Sequence, residues 1–203
     1  GVCVFGRQNA YANFQLSGGS ITGNYASDSG GGVCLNPSLY HGTFQLSNEP
    51  DISGNTAGSD GAASNILLYT NVITLATSLP ESKKYGVSGS MGVITSGWTT
   101  YMAGKDPTDY FTSETEGAIV MLLDAGDSQE VVLHIHKYTY TTDEQTNIIT
   151  QTCVCHHSAT ATLNVPSGPY YANADGSPVT PATVTYSSNW VGEQPEITYQ
   201  NNT

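Results

Sequence analysis

The sequence predicts an all-β chain whose residues 1–113 form a right-handed parallel β-helix of about three to four coils with its closing segment. First, the chain repeats itself. Gly1-Val-Cys-Val, Phe14-Gln-Leu-Ser and Ile21-Thr-Gly-Asn return about thirty residues later as Gly32-Val-Cys-Leu, Phe44-Gln-Leu-Ser and Ile52-Ser-Gly-Asn. Second, a weaker copy follows as Asn65-Ile-Leu-Leu-Tyr, Ile73-Thr-Leu and Leu79. Third, each apolar pair brackets a single residue, polar or small in most cases, as in Phe44-Gln45-Leu46. That alternation marks a short strand with one face inward.

Three such strands per copy, separated by corners rich in Gly, Asn and Ser, describe a triangular coil rather than a hairpin. Stacked coils would set Val2 on Val33 and Ile66, Phe14 on Phe44, and Leu16 on Leu46 and Leu75. Asn24 and Asn55 fall at equivalent corners, where Asn tolerates the left-handed region and bonds to its neighbours. Cys3 and Cys34 share a repeat position between inward apolar residues, so both should face outward on adjacent strands about 4.8 Å apart. That spacing permits a disulfide. Parallel strands aim the side chains poorly for bridging, so two free or partly buried thiols are expected.

The repeat Gly30-Gly-Gly-Val-Cys-Leu, Gly42-Thr-Phe-Gln-Leu-Ser and Ile52-Ser-Gly-Asn-Thr-Ala resembles that of pectate-lyase-like β-helix segments in cell-surface proteins of Gram-positive gut bacteria. Gly97-Trp and Tyr101-Met-Ala-Gly-Lys-Asp-Pro, with Tyr110-Phe-Thr-Ser, are similar to the segment that closes such helices. The resemblance implies the fold and an extracellular place on a bacterial surface. It implies little about activity.

Beyond Glu114 the pattern changes. Residues 118–123 (Ala-Ile-Val-Met-Leu-Leu) and 130–136 (Glu-Val-Val-Leu-His-Ile-His) read as a hairpin around Asp-Ala-Gly-Asp. Within 114–157 this hairpin is the expected cover for the open last coil. The Thr- and Tyr-rich stretch 137–152 should pair with it or pack beside it. No convincing helix is read anywhere. Residues 158–203 are expected to form a small, incomplete β module, and Pro181-Ala-Thr-Val-Thr-Tyr with Trp190-Val-Gly-Glu-Gln-Pro-Glu-Ile-Thr-Tyr is similar to Ig-like stalk repeats of bacterial adhesins. These strands either make a truncated module or add to the preceding domain.

Charge narrows the function. Seventeen acidic residues face five Lys and Arg, giving a net charge of −12. Arg7 and four Lys cannot neutralise a phosphate backbone, so no nucleic-acid partner is expected. No apolar run is long enough to span a bilayer, and the chain reads as an internal piece of a longer exported protein.

Several residues invite chemistry. Cys153-Val-Cys155-His156-His157 is the densest group of metal-ligating types, with His134 and His136 alternating nearby, and C-x-C with His offers three of the four ligands zinc needs. Two cysteines at i and i+2 on one strand hold their sulfurs apart, so ordinary strand residues remain the plainer reading and no cofactor is expected. Asp28, Asp51 and Asp60 sit in turn-like surroundings, without the close carboxylates of a galacturonan hydrolase or the calcium-binding cluster of a lyase. Tyr101, Tyr110, Tyr138, Tyr140, Tyr170 and Tyr171 are candidates for an aromatic, hydrogen-bonding surface; β-propensity alone also explains them. Together with the resemblance, this makes the expected function non-enzymatic. An adhesin-like segment would display or space a surface for glycans or host glycoproteins such as mucin or immunoglobulin. A pectate-lyase-like polysaccharide lyase or hydrolase fragment, and a pure spacer, are the alternatives.

Overall fold

A computed structural model describes residues 1–6, 10–35, 42–125, 128–167, 182–194 and 197. The chain divides into two units, Gly1–Ile135 and His136–Thr203. No helix among the described residues is long and apolar enough to cross a membrane.

The first unit is a β-solenoid of about three turns. One face is a five-stranded sheet in the order Val2–Val4, Val33–Leu35, Ile66–Leu68, Tyr85–Gly89, Phe111–Ser113. All its pairings are parallel. A second face stacks Ala12–Leu16, Gly42–Leu46, Ile73–Leu75 and Thr95–Ser96, also in parallel. Shorter strands complete the corners, Ser20–Thr22 on Asp51–Ser53 and Tyr25–Ala26 on Thr56–Ala57.

The ladders expected from the repeat are present in register. Val33 lies between Val2 and Ile66, Phe44 between Phe14 and Ile73, and Leu46 between Leu16 and Leu75. Phe14 and Phe44 stack with centroids 5.4 Å apart and planes 13° from parallel. The second coil is more enclosed than the first: Val33, Leu35, Phe44 and Leu46 are fully buried, whereas Val2, Phe14 and Leu16 are half-buried. Each rung removes apolar area on both sides, worth roughly 1.5–3 kcal/mol for a fully buried large side chain.

A polar row runs beside this core. Asn24 Nδ2 donates to Asn55 Oδ1 (2.9 Å), Asn55 Nδ2 donates to Asn65 Oδ1 (3.0 Å), and Asn65 Nδ2 donates to the Glu114 carboxylate. Glu114 also accepts from Asn65 N at 2.7 Å. Burial raises the Glu114 pKa above its usual value, against the lowering effect of these bonds. The expected stacking of Asn24 on Asn55 is thus extended by two residues.

Close backbone approach governs the exit from the fourth strand of the first face. Gly89 has φ 131°, and a Cβ there would overlap the Leu68 carbonyl oxygen. Gly89→Ala is therefore expected to cost on the order of 2 kcal/mol, read as a lower urea midpoint with an unchanged slope.

The closing segment contains one helical turn, Trp98–Tyr101, and a 3-10 turn, Pro107–Asp109, where no helix was expected. Asp106 caps the latter by accepting from Thr108 N at 2.8 Å, which propensity over so few residues does not announce. Trp98 is fully buried and meets Tyr110 edge-on at 5.8 Å. The hairpin of Ile119–Ala125 and Ser128–His134 covers the end of the coil stack. Val120, Val131 and Leu133 join the solenoid's own core cluster, and Val93 and Gly92 pair antiparallel with the hairpin's second strand.

The second unit is a four-stranded antiparallel sheet in the order Tyr138–Asp143, Ile148–Cys153, Ser158–Asn164, Thr183–Tyr186. Residues 137–152 therefore do not pair with the capping hairpin. They form a hairpin of their own, whose second strand takes Ser158–Asn164 on its other edge. The two compact units divide at 135/136. The expected strand at 196–199 lies outside the described residues except for Ile197.

Candidate functional site

In the second unit, register sorts the side chains onto two faces. Tyr140 lies opposite Gln151, Gln151 opposite Ala159, and Ala161 opposite Tyr186. This is the buried face, with Gln151 and Ala161 almost inaccessible. The Gln151 amide donates to Val191 O (3.1 Å) and accepts from Val191 N (3.0 Å), drawing the segment after the last strand across the sheet. Trp190 arrives on that segment, its indole Nε1 donating to Glu193 O at 3.2 Å. Its ring lies 5.4 Å from Tyr186 and 6.3 Å from Tyr140. Tyr140 is 55% exposed, and the other two rings are half-buried. The result is a pinned aromatic cluster, open on one side. The opposite face is lined with Thr: Thr139 faces Thr152, Thr141 faces Thr150 and Thr162 faces Thr185.

The tyrosines nominated from sequence separate by environment. Tyr140 belongs to this open cluster, and Tyr101 is exposed in the first unit. Tyr110 is a core residue at 1% exposure, so it cannot serve as a surface contact: the closing segment turns it inward onto Trp98. Tyr138 is half-buried and its hydroxyl lies 3.1 Å from His157 Nδ1. Tyr170 and Tyr171 lie outside the described residues. Tyr186 and Trp190 were missed as site residues. The Tyr186-to-Trp190 spacing, with Ser-Ser-Asn between, is a turn signal that could have returned the indole to the strand.

The cysteine-histidine group is also rearranged. The strand ends at Cys153, and residues 154–156 turn back, with His156 at φ 67° and its N–H donating to Cys153 O at 2.9 Å. Cys155 is therefore off the strand, with its sulfur within 4.8 Å of that of Cys153. Burial pushes the Cys155 pKa up. His136 does not alternate on one strand with His134, since that strand stops at His134. Its Nδ1 lies 3.3 Å from Cys155 Sγ. His156 is exposed, while His157 packs its ring 4.9 Å from that of His136.

In the first unit, Cys3 and Cys34 are register partners and both are free thiols. The Cys34 pKa is pushed up to about 11, by burial first and then by Cys3. Asp51 pairs with Lys83 at 3.2 Å, its pKa lowered by bonds from Ser53 and Lys83, and Asp60 accepts from Ala62 N. Arg7 lies outside the described residues. An open cleft of about 550 Å³ lies between residues 104–108 and the capping hairpin, lined by Lys105, Asp106, Thr108, Met121, Leu122 and Gln129. Lys105 is held there by Glu81 at 2.7 Å.

No family model, curated protein or solved structure matches the chain. The chemistry of the residues themselves must carry any functional reading.

Proposed function

We propose that the chain is a non-enzymatic, adhesin-like segment of a bacterial cell-surface protein, in which a pectate-lyase-like β-helix and a stalk-type β module hold out a binding surface for glycans or host glycoproteins. The observation that carries this reading is the open cluster of Tyr140, Tyr186 and Trp190. Aromatic rings offer sugars an apolar face to stack on, and their N–H and O–H groups supply direction. Backbone anchoring of Trp190 and Val191 fixes the rings in advance, which lowers the ordering cost of binding. The net charge of −12 favours neutral glycans over sulfated or sialylated ones.

The test is retention of the purified protein on an array of plant polysaccharides, mucin glycans and host glycoproteins. Saturable binding to one class is expected, and Tyr140→Ala should weaken it by about tenfold, the loss of one stacking contact worth roughly 1.4 kcal/mol. Tyr140 is exposed, so this change leaves the sheet intact. Absence of saturable retention would leave a spacer. Appearance of new reducing ends or unsaturated products on the polysaccharide spots would instead favour the lyase or hydrolase reading.

A further inference from the structure

We propose that His136, Cys153 and Cys155 form a binding site for one zinc ion. The ligand atoms of these three residues lie within 4.8 Å of one another. His136 Nδ1 and Cys155 Sγ are 3.3 Å apart. In a tetrahedral zinc centre with Zn–S near 2.3 Å and Zn–N near 2.1 Å, nitrogen and sulfur stand about 3.6 Å apart and two sulfurs about 3.8 Å apart. The three atoms thus need only small side-chain movements to close on an ion. Two thiols and an imidazole are a soft donor set that excludes calcium and magnesium and suits zinc. Three protein ligands leave one tetrahedral position open.

The local backbone is built for convergence. The turn after Cys153 is closed by two hydrogen bonds, His156 N to Cys153 O and Cys153 N to His157 O, both 2.9 Å. It carries a left-handed residue at 156, a conformation that non-Gly residues adopt seldom. That turn brings Cys155 beside Cys153 instead of two rungs along a strand. Packing supports the ligand as well, with the His136 ring stacked on Tyr138 at 5.3 Å and against His157 at 4.9 Å.

A second observation shows why the unit would use a metal. Its fully buried described side chains are Gln151, Cys153, Ala159 and Ala161, with no large aliphatic residue among them. A core this thin is one that a bound metal stabilises. On binding, each thiol loses its proton to the buffer and coordinates as thiolate. The site is independent of the glycan-binding reading.

The test uses the full chain, reduced and stripped of metal, titrated with Co²⁺ and then Zn²⁺. Expected are one cobalt per chain, a thiolate-to-cobalt charge-transfer band with tetrahedral d–d bands, and bleaching by zinc. Zinc should also raise the melting temperature of the transition reported by Trp190. Cys153→Ser and Cys155→Ser should each abolish the band at equimolar cobalt, and His136→Ala should weaken binding at least tenfold. His156→Asn, which keeps a residue tolerant of the left-handed turn, should bind as the parent does. The Cys3→Ser, Cys34→Ser double variant should also keep the full band, so a general loss of folding cannot imitate the result. No charge-transfer band at micromolar cobalt would overturn the proposal. So would a band that survives in Cys153→Ser, Cys155→Ser, or one that depends on His156 rather than His136.

Discussion

Replacing Phe44 by alanine is expected to destabilise the Gly1–Ile135 unit by about 3–5 kcal/mol. Phe44 is fully buried in the second coil. It touches a rung on each side, Phe14 by stacking and Ile73 through strand register. Truncation removes the transfer free energy of the ring and leaves a cavity, because neighbouring parallel strands are fixed at their spacing and cannot close on it. In a solenoid each coil touches only its neighbours, so the loss also uncouples the first coil from the third. The measurement is urea unfolding followed by far-UV circular dichroism. Phe14→Ala provides the comparison: Phe14 is only half-buried, so its truncation should cost clearly less. Equal losses for the two would mean that the coils do not differ in enclosure as described.

The second large effect is expected at Glu130. This carboxylate accepts from Thr95 Oγ1 (2.8 Å), Gly97 N (2.8 Å) and Trp98 N (3.1 Å). One side chain on the capping hairpin thereby satisfies the last strand of the second face and two backbone donors at the helical turn. Glu130→Ala leaves those donors without it, and a loss of about 3 kcal/mol is expected from hydrogen bonds to a charged acceptor. Glu130→Gln keeps one acceptor oxygen and should cost roughly half as much. Emission of the buried Trp98, read beside a Trp190→Phe background, should shift to the red at lower denaturant in Glu130→Ala. An unchanged transition would mean that the hairpin's apolar contacts, through Val120, Val131 and Leu133, hold the end of the stack unaided.

The two predictions rest on parts of the chain that were unequally legible. Phe44 could be placed from sequence because a repeat supplies its own register: a residue's neighbours are the residues at the same phase. Glu130 could be placed on the capping hairpin but not connected to Thr95 and Gly97, since those pairings occur once and leave no periodic trace. Likewise Asn24 and Asn55 announced their stacking, whereas Asn65 enters the same row only ten residues after Asn55. Period alone could not reveal it.

In the second unit, alternation over 159–165 and 182–186 marks strands, found at Ser158–Asn164 and Thr183–Tyr186, without saying which edge each would take. On a continuing strand, Cys153 and Cys155 would hold their sulfurs apart. A turn beginning at Cys153 reverses that geometry, and no glycine or proline marks it. Tyr110 and Tyr140 have the same side chain and opposite fates, because irregular segments such as the one around Tyr110 carry no period from which inside and outside can be told.

The row of amides ends on a carboxylate, Glu114. An ionised carboxylate only accepts, so Asn65 must turn its NH₂ toward Glu114 and its oxygen toward Asn55. Asn55 holds the same orientation, its Oδ1 accepting from Asn24 N and Nδ2 while its Nδ2 also donates to Ile21 O and Ser53 O. Asn65 Oδ1 likewise accepts from Asn55 N. Each amide is thus oriented twice over, by the next side chain and by main-chain groups, and the row has one polarity with its dipoles aligned. Reversing one amide would set NH₂ against N–H, so the direction of the row is written into the backbone of the coils themselves.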